Sequence, residues 1–210
     1  MPVTRVKICG LTNAEDIQAA AHCGADALGF VLEPSSPRYV GDRADLIDLL
    51  RCVPPFVVRV AVFGRLHALS EEVWRQVDAV QFLPGEETPA LPLHLRRICA
   101  VRLRSEEDIL HALSLQREAD ALLVDAYHPW KLGGTGDRAD WELARRLREE
   151  ARVPVILAGG LNPDNVQDAI QQVMPYAVDV SSGVERAPGK KDHQKMKEFI
   201  AHVRRVADGS

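Results

Sequence analysis

The chain has 210 residues, 46% of them hydrophobic and 27% charged, with a formal net charge of −4. That balance excludes a disordered or fibrous chain, and the slight acidity excludes a general electrostatic footprint for nucleic acid or an anionic membrane. No apolar run approaches the roughly 18 residues of a membrane span, and the opening MPVTRVKICG lacks the basic and apolar segments of a secretory signal.

Short runs of Val, Ile and Leu alternate with amphipathic segments that follow a small polar residue, the rhythm of βα units on a parallel sheet. The first strand is expected at Val3–Cys9, followed by the cap Thr12 and a helix over Asn13–His22. A strand at Ala27–Val31 leads through Asp42 to a helix at Arg43–Cys52, and one at Phe56–Phe63 leads through Ser70 to Glu71–Val77. The fourth strand, Ala79–Phe82, runs into GEETPALPLHLRR, whose two prolines predict a short or distorted fourth helix. Ile98–Leu103 then pairs with a helix at Glu106–Leu115 after Ser105, and Ala121–Asp125 with Trp141–Glu150 after Asp140. Val155–Ala158 precedes Asn162 and a helix at Pro163–Val173, with proline at its first position, and Ala177–Val180 precedes His193–Val206. Eight such units predict an α/β chain forming a single (β/α)8 barrel domain over residues 1–210, with an open doubly wound sheet as the competing architecture.

In a barrel the chemistry gathers at the C-terminal strand ends. Side chains alternate along a strand, so Lys7 and Cys9 point inward while Val6 and Ile8 pack outward. Taken alone, Cys9 reads as a small buried hydrophobe. Its place at a strand end, with a cation two residues away, predicts instead a lowered thiol pKa and a larger thiolate fraction. Cys23, Cys52 and Cys99 fall in helix or mid-strand patterns; the four cysteines form no CxxC pair, which predicts reduced thiols in a cytoplasm and no metal site. Asp125 closes the sixth strand, facing inward with Leu123, and precedes a loop containing three glycines. A carboxylate there can merely cap a loop; across a barrel mouth from Cys9 it completes a pair able to give and take protons.

LAGGLNPDNV places Gly159 and Gly160 after the seventh strand, and VDVSSGVE places Ser181, Ser182 and Gly183 after the eighth. Small residues let backbone N–H groups approach an anion, and these two loops are where barrels commonly bind phosphate. Arg38, in the Pro-flanked loop LEPSSPRYVG, carries a planar fork suited to a carboxylate. Asp179 alternates inward on the eighth strand and, once the barrel closes, is expected beside Lys7.

These motifs together resemble the phosphoribosylanthranilate isomerase family of tryptophan biosynthesis. The resemblance rests on KICGLT, GADALGFV with SPRYV, VQ, VD with GGTG and DW, LAGGLNPDNV and VDVSSGVERAPGKKD, in that order along nearly the whole chain. It implies an Amadori rearrangement of N-(5-phosphoribosyl)anthranilate, an aminoaldose, to the 1-deoxyribulose 5-phosphate ketose, without cofactor or metal. Asp125 would then be the general acid and Cys9, as thiolate, the general base. Lys7, Arg38, Gln81 and Asp179 would contact substrate, Arg38 through its carboxylate and Asp179 near its amine. Gly159, Gly160 and Ser181 to Gly183 would hold the phosphate. One departure stands out: the family's Gln-Leu-His-Gly after the fourth strand is QFLPG here, with Leu83 in the histidine's place. The alternatives are a histidine-pathway aminoaldose isomerase, whose first strand typically ends in aspartate, and a barrel that binds phosphosugars without catalysis. The partner expected is a small phosphosugar, with monomer and homodimer left open.

Overall fold

The computed structural model describes residues 3–67, 69–85, 91–125 and 138–208. Eight parallel strands close a barrel in chain order. They are β1 (Arg5–Cys9), β2 (Ala27–Val31), β3 (Val58–Val62), β4 (Ala79–Phe82), β5 (Arg96–Arg102), β6 (Ala121–Asp125), β7 (Val155–Ala158) and β8 (Ala177–Val180). Closure is set by β1, which pairs with β2 on one side and β8 on the other. Around the barrel lie α1 (Ala14–His22), α2 (Leu46–Arg51), α3 (Glu71–Trp74), α4 (Glu106–Leu115), α5 (Arg138–Glu150), α6 (Val166–Val173) and α7 (His193–Asp208). A 3₁₀ turn at Ser182–Val184 links β8 to a hairpin of β9 (Glu185–Ala187) and β10 (Lys190–Lys191).

Five strands have the expected bounds; β1 and β3 are shorter and β5 begins two residues early. Residues 91–95, before β5, contain no helix, and residues 86–90 of the expected fourth helix lie outside the described residues. Several helix starts differ from the expected ones. Asn13, not Thr12, caps α1: its backbone is extended at φ −152° and its side chain accepts the Asp16 N–H. The second helix begins at Leu46 after Asp45 rather than at Arg43 after Asp42. The helix expected after Asp140 already starts at Arg138. Asn162 holds a turn instead of a helix start, because its Oδ1 accepts from the N–H groups of Asp164 (2.8 Å) and Asn165 (3.2 Å), delaying α6 to Val166.

The alternation behaves as expected. Val6, Ile8, Leu122, Val124 and Val178 pack between barrel and helices, while Val60, Ala79, Ile98, Ala121, Ile156 and Ala177 fill the barrel interior. Three of those six interior residues are alanine, and the N-terminal end of the barrel consequently holds a cavity of about 480 Å³.

Asp16 ties three outer elements together. It is 3% exposed and accepts from Asn13 Nδ2 (2.8 Å), the Lys191 N–H (2.9 Å) and His193 Nε2 (2.7 Å). Burial pushes its carboxyl pKa up, but these hydrogen bonds bring it below the ordinary value. Asp16→Ala orphans the buried Lys191 N–H and two half-buried side-chain donors and is expected to cost roughly 2–3 kcal/mol, measured as a lower urea midpoint. Since the folded pKa is depressed, the contribution is complete above the unfolded value of about 3.9 and fades as pH falls through the folded value. Stability curves of the variant and the parent chain should therefore converge in acid.

Candidate active site

Cys9 ends β1 and Asp125 ends β6, both at the C-terminal face of the barrel. A cavity of about 390 Å³ opens there, lined among others by Gln81, Asp125, Gly159, Gly160, Asp179, Ser181 and Ser182. Two other hollows are larger: the barrel floor, and a surface groove of about 740 Å³ lined by Leu110, Arg117 and Arg152. Size does not locate the chemistry. Of these three, the cavity at the mouth is the one that joins an inward strand-end carboxylate to two loops of small residues.

The expected pairing of Lys7 with Asp179 is present. The two are register partners across β1 and β8, and Lys7 Nζ donates to Asp179 Oδ1 at 2.9 Å with both side chains buried. Burial opposes the Lys7 charge, yet Asp179 and Cys9 hold its pKa above the ordinary lysine value, so it stays a cation. Cys9 is 7% exposed and does not line the cavity itself. A Cβ built on Gly29 would lie 2.8 Å from Cys9 Sγ and 3.1 Å from Lys7 Nζ, so the glycine on β2 leaves room for both groups. The expected lowering of the thiol pKa is corrected: burial pushes the Cys9 thiol up and outweighs the opposing pull of Lys7 and Lys191. Thiolate formation is thus disfavoured despite two nearby cations.

The loops after β7 and β8 meet at the mouth. Gly159 (φ +87°) and Gly160 (φ +64°) both adopt left-handed backbone, which favours glycine. They do not lead directly into a helix; the Asn162 turn separates them from α6. At Gly183 a Cβ would stand 1.9 Å from the Leu161 carbonyl oxygen, so the two loops touch backbone to backbone and no larger residue fits without displacing them. Ser181 Oγ and Gln81 Oε1 are buried and find no hydrogen-bond partner among the described residues. Both belong to residues lining the cavity, where a bound polar group can satisfy them.

Arg38 does reach the mouth, since a Cβ on Gly10, next to Cys9, would sit 2.4 Å from Arg38 Cδ and 2.9 Å from Ser181 Oγ. Its guanidinium is already engaged, donating from Nε (2.8 Å) and Nη2 (2.6 Å) to Glu185. Lys191, with its side chain 0% exposed, donates from Nζ to Glu185 Oε1 (2.8 Å) and to the Ser181 carbonyl (3.2 Å). Sequence reasoning gave neither Glu185 nor Lys191 a role. Both lie in VERAPGKKD, a run whose close charges on either side of a Pro-Gly turn were the available signal. Leu83, at the family's histidine position, is half-exposed and donates its backbone N–H to the Gly64 carbonyl. The glycine-rich loop after Asp125, residues 126–137, lies outside the described residues. Among the described residues, no three His, Cys, Asp or Glu side chains converge to hold a metal ion, and no helix is long and apolar enough to cross a membrane.

Comparison with known proteins accounts for this arrangement over the whole barrel. The N-(5'-phosphoribosyl)anthranilate (PRA) isomerase family model matches residues 6–202. The N-(5'-phosphoribosyl)anthranilate isomerase of Geobacter sp. (strain M21) is 44% identical over 98% of this chain and 100% of its own length. The crystal structure of phosphoribosyl anthranilate isomerase from Thermotoga maritima superposes with a TM-score of 0.80 at 41% identity, covering 95% of this chain and 98% of that one. A crystal structure of phosphoribosyl anthranilate isomerase in complex with reduced 1-(o-carboxyphenylamino)-1-deoxyribulose 5-phosphate covers the same shares, with a TM-score of 0.77 and 39% identity. With the family model running from β1 into α7 and a full-length relative at 44% identity, the chain belongs to the N-(5'-phosphoribosyl)anthranilate isomerase family.

Proposed function

We propose that this chain catalyses the Amadori rearrangement of N-(5'-phosphoribosyl)anthranilate in tryptophan biosynthesis, with Asp125 as general acid and Cys9 as general base. Asp125 protonates the ribose ring oxygen and the ring opens to a Schiff base. Cys9, as thiolate, removes the C2′ proton, and the resulting enolamine tautomerises to the ketone. The proton given by one carboxyl and the proton taken by one thiol balance over the turnover. Arg38 holds the anthranilate carboxylate and Asp179, anchored by Lys7, lies by the amine. Gln81 supplies an acceptor from the cavity wall, and Gly159, Gly160, Ser181, Ser182 and Gly183 cradle the phosphate.

The observation that carries this reading is the mouth cavity, where Asp125, Asp179 and the two small-residue loops share one wall-to-wall space. A histidine-pathway isomerase is not favoured, because β1 ends in Cys9 rather than aspartate. The reading takes residues 1–210 as one barrel domain, working in a cytoplasm on a small phosphosugar, in line with four free thiols. Following the loss of substrate fluorescence with the parent chain, Cys9→Ala and Asp125→Asn tests it. Equal rates from all three would sink the acid–base assignment, and a parent chain without turnover would favour a non-catalytic phosphosugar binder.

A further inference from the structure

We infer that Glu185 is a positioning residue that orients Arg38 for the substrate's carboxylate, an inference resting on the role given to Arg38 above. A guanidinium offers two edges, each with a pair of nearly parallel N–H groups. Glu185 takes one of them, accepting from Nε at 2.8 Å and Nη2 at 2.6 Å. The plane of the fork is thereby set, and the Nη1/Nη2 edge remains for a second planar carboxylate such as the one on an anthranilate ring.

Glu185 is itself anchored. Its side chain is 5% exposed, and it accepts from Lys191 Nζ at 2.8 Å and from the Gly189 N–H at 3.3 Å. Lys191 in turn donates from Nζ to the Ser181 carbonyl and from its backbone to Asp16. Burial pushes the Glu185 carboxyl pKa up, but Arg38 and Lys191 bring it below the ordinary range, so it is ionised. One anion between two cations leaves the cluster with one net positive charge, which suits an incoming carboxylate. A free arginine loses much rotamer freedom when it grips a ligand, and an arginine already held by a buried partner has lost it beforehand. The hairpin β9–β10 thus joins the carboxylate fork through Glu185 and the phosphate loop through the Lys191 bond to Ser181, while Arg38 itself packs beside Gly10 at the end of β1.

A double-mutant cycle in the isomerase assay tests this. Glu185→Gln is expected to raise KM about tenfold with kcat changed by less than about threefold, and to add less than about twofold to KM once Arg38→Ala is present. Thermal melts of each variant establish that it is folded. Glu185→Asp keeps the charge facing Lys191 but loses the reach to Arg38. It stands in if the amide variant does not fold, with a rise of several-fold expected in the parent background alone. Equal KM increments with and without Arg38, or a fall in kcat at constant KM, would overturn the inference. An unchanged KM in Arg38→Ala would remove the carboxylate reading on which it rests.

Discussion

Asp125→Asn is expected to lower kcat by on the order of 10²–10⁴, the usual worth of a positioned proton donor, because the amide keeps the carboxylate's shape but has no proton to give to the ring oxygen. Cys9→Ala should lose a similar factor, and the double variant should lose far less than the product of the two, since a turnover blocked at ring opening is not further slowed at C2′. The measurement is the steady-state decay of substrate fluorescence, and either variant within tenfold of the parent would contradict its assignment. The direction of the thiol shift adds a pH test. Only the thiolate is a base, and burial pushes the Cys9 thiol up. Thus in Asp125→Asn, where no carboxyl has to stay protonated, kcat/KM should rise with pH and go on rising beyond the ordinary cysteine value of about 8.5. That limb should vanish when Cys9→Ala is added, whereas a plateau reached below the ordinary value would contradict the burial argument.

Lys7→Met should produce the largest loss of stability. It strands Asp179, which is 8% exposed, without the ammonium that now sits 2.9 Å away. Removing one partner of a buried ion pair costs about 3–5 kcal/mol. Lys7→Met with Asp179→Leu should recover much of that in urea unfolding, because two apolar side chains of similar volume leave no uncompensated charge. The double variant should nonetheless turn over poorly, having lost the group proposed to lie by the substrate amine. Lys7 has a raised folded pKa, so its contribution is complete below the unfolded value of about 10.4 and is lost as pH climbs through the folded value. The alkaline fall in stability should accordingly be shallower in Lys7→Met. Its Cys9 titration should move to still higher pH, because one of the cations favouring the thiolate is gone.

Much of this could be read from residue order because barrel strands obey a period of two. The parity of Lys7, Cys9, Leu123, Asp125 and Asp179 followed from that rule, and so did the Lys7–Asp179 contact once closure placed β8 beside β1. Helix starts were less legible, since Thr12 and Asn13, or Asn162 and Asn165, compete for the same capping task and local geometry decides between them. The hairpin β9–β10 escaped altogether: strands of three and two residues are too short to show alternation. With it went the partnership of Glu185 and Lys191. The thiol shift was misjudged in sign because spacing along the chain shows a nearby cation but not the depth at which the thiol is buried.

The alanine-rich barrel floor has a consequence for insulation. Lys7 lines the cavity at the N-terminal end, and Asp179 lines the one at the C-terminal mouth. The ion pair fastening β1 to β8 is therefore also a bulkhead between two solvent-reaching spaces in one tube. Val60, Ile98, Leu123 and Ile156 pack in the same interior, so the division is shared with apolar side chains, and the Lys7–Asp179 pair is its charged part. The field felt at Cys9 is in that sense set from both ends of the barrel, and a change of charge around the floor has an electrostatic route to the chemistry that never passes through the substrate's door.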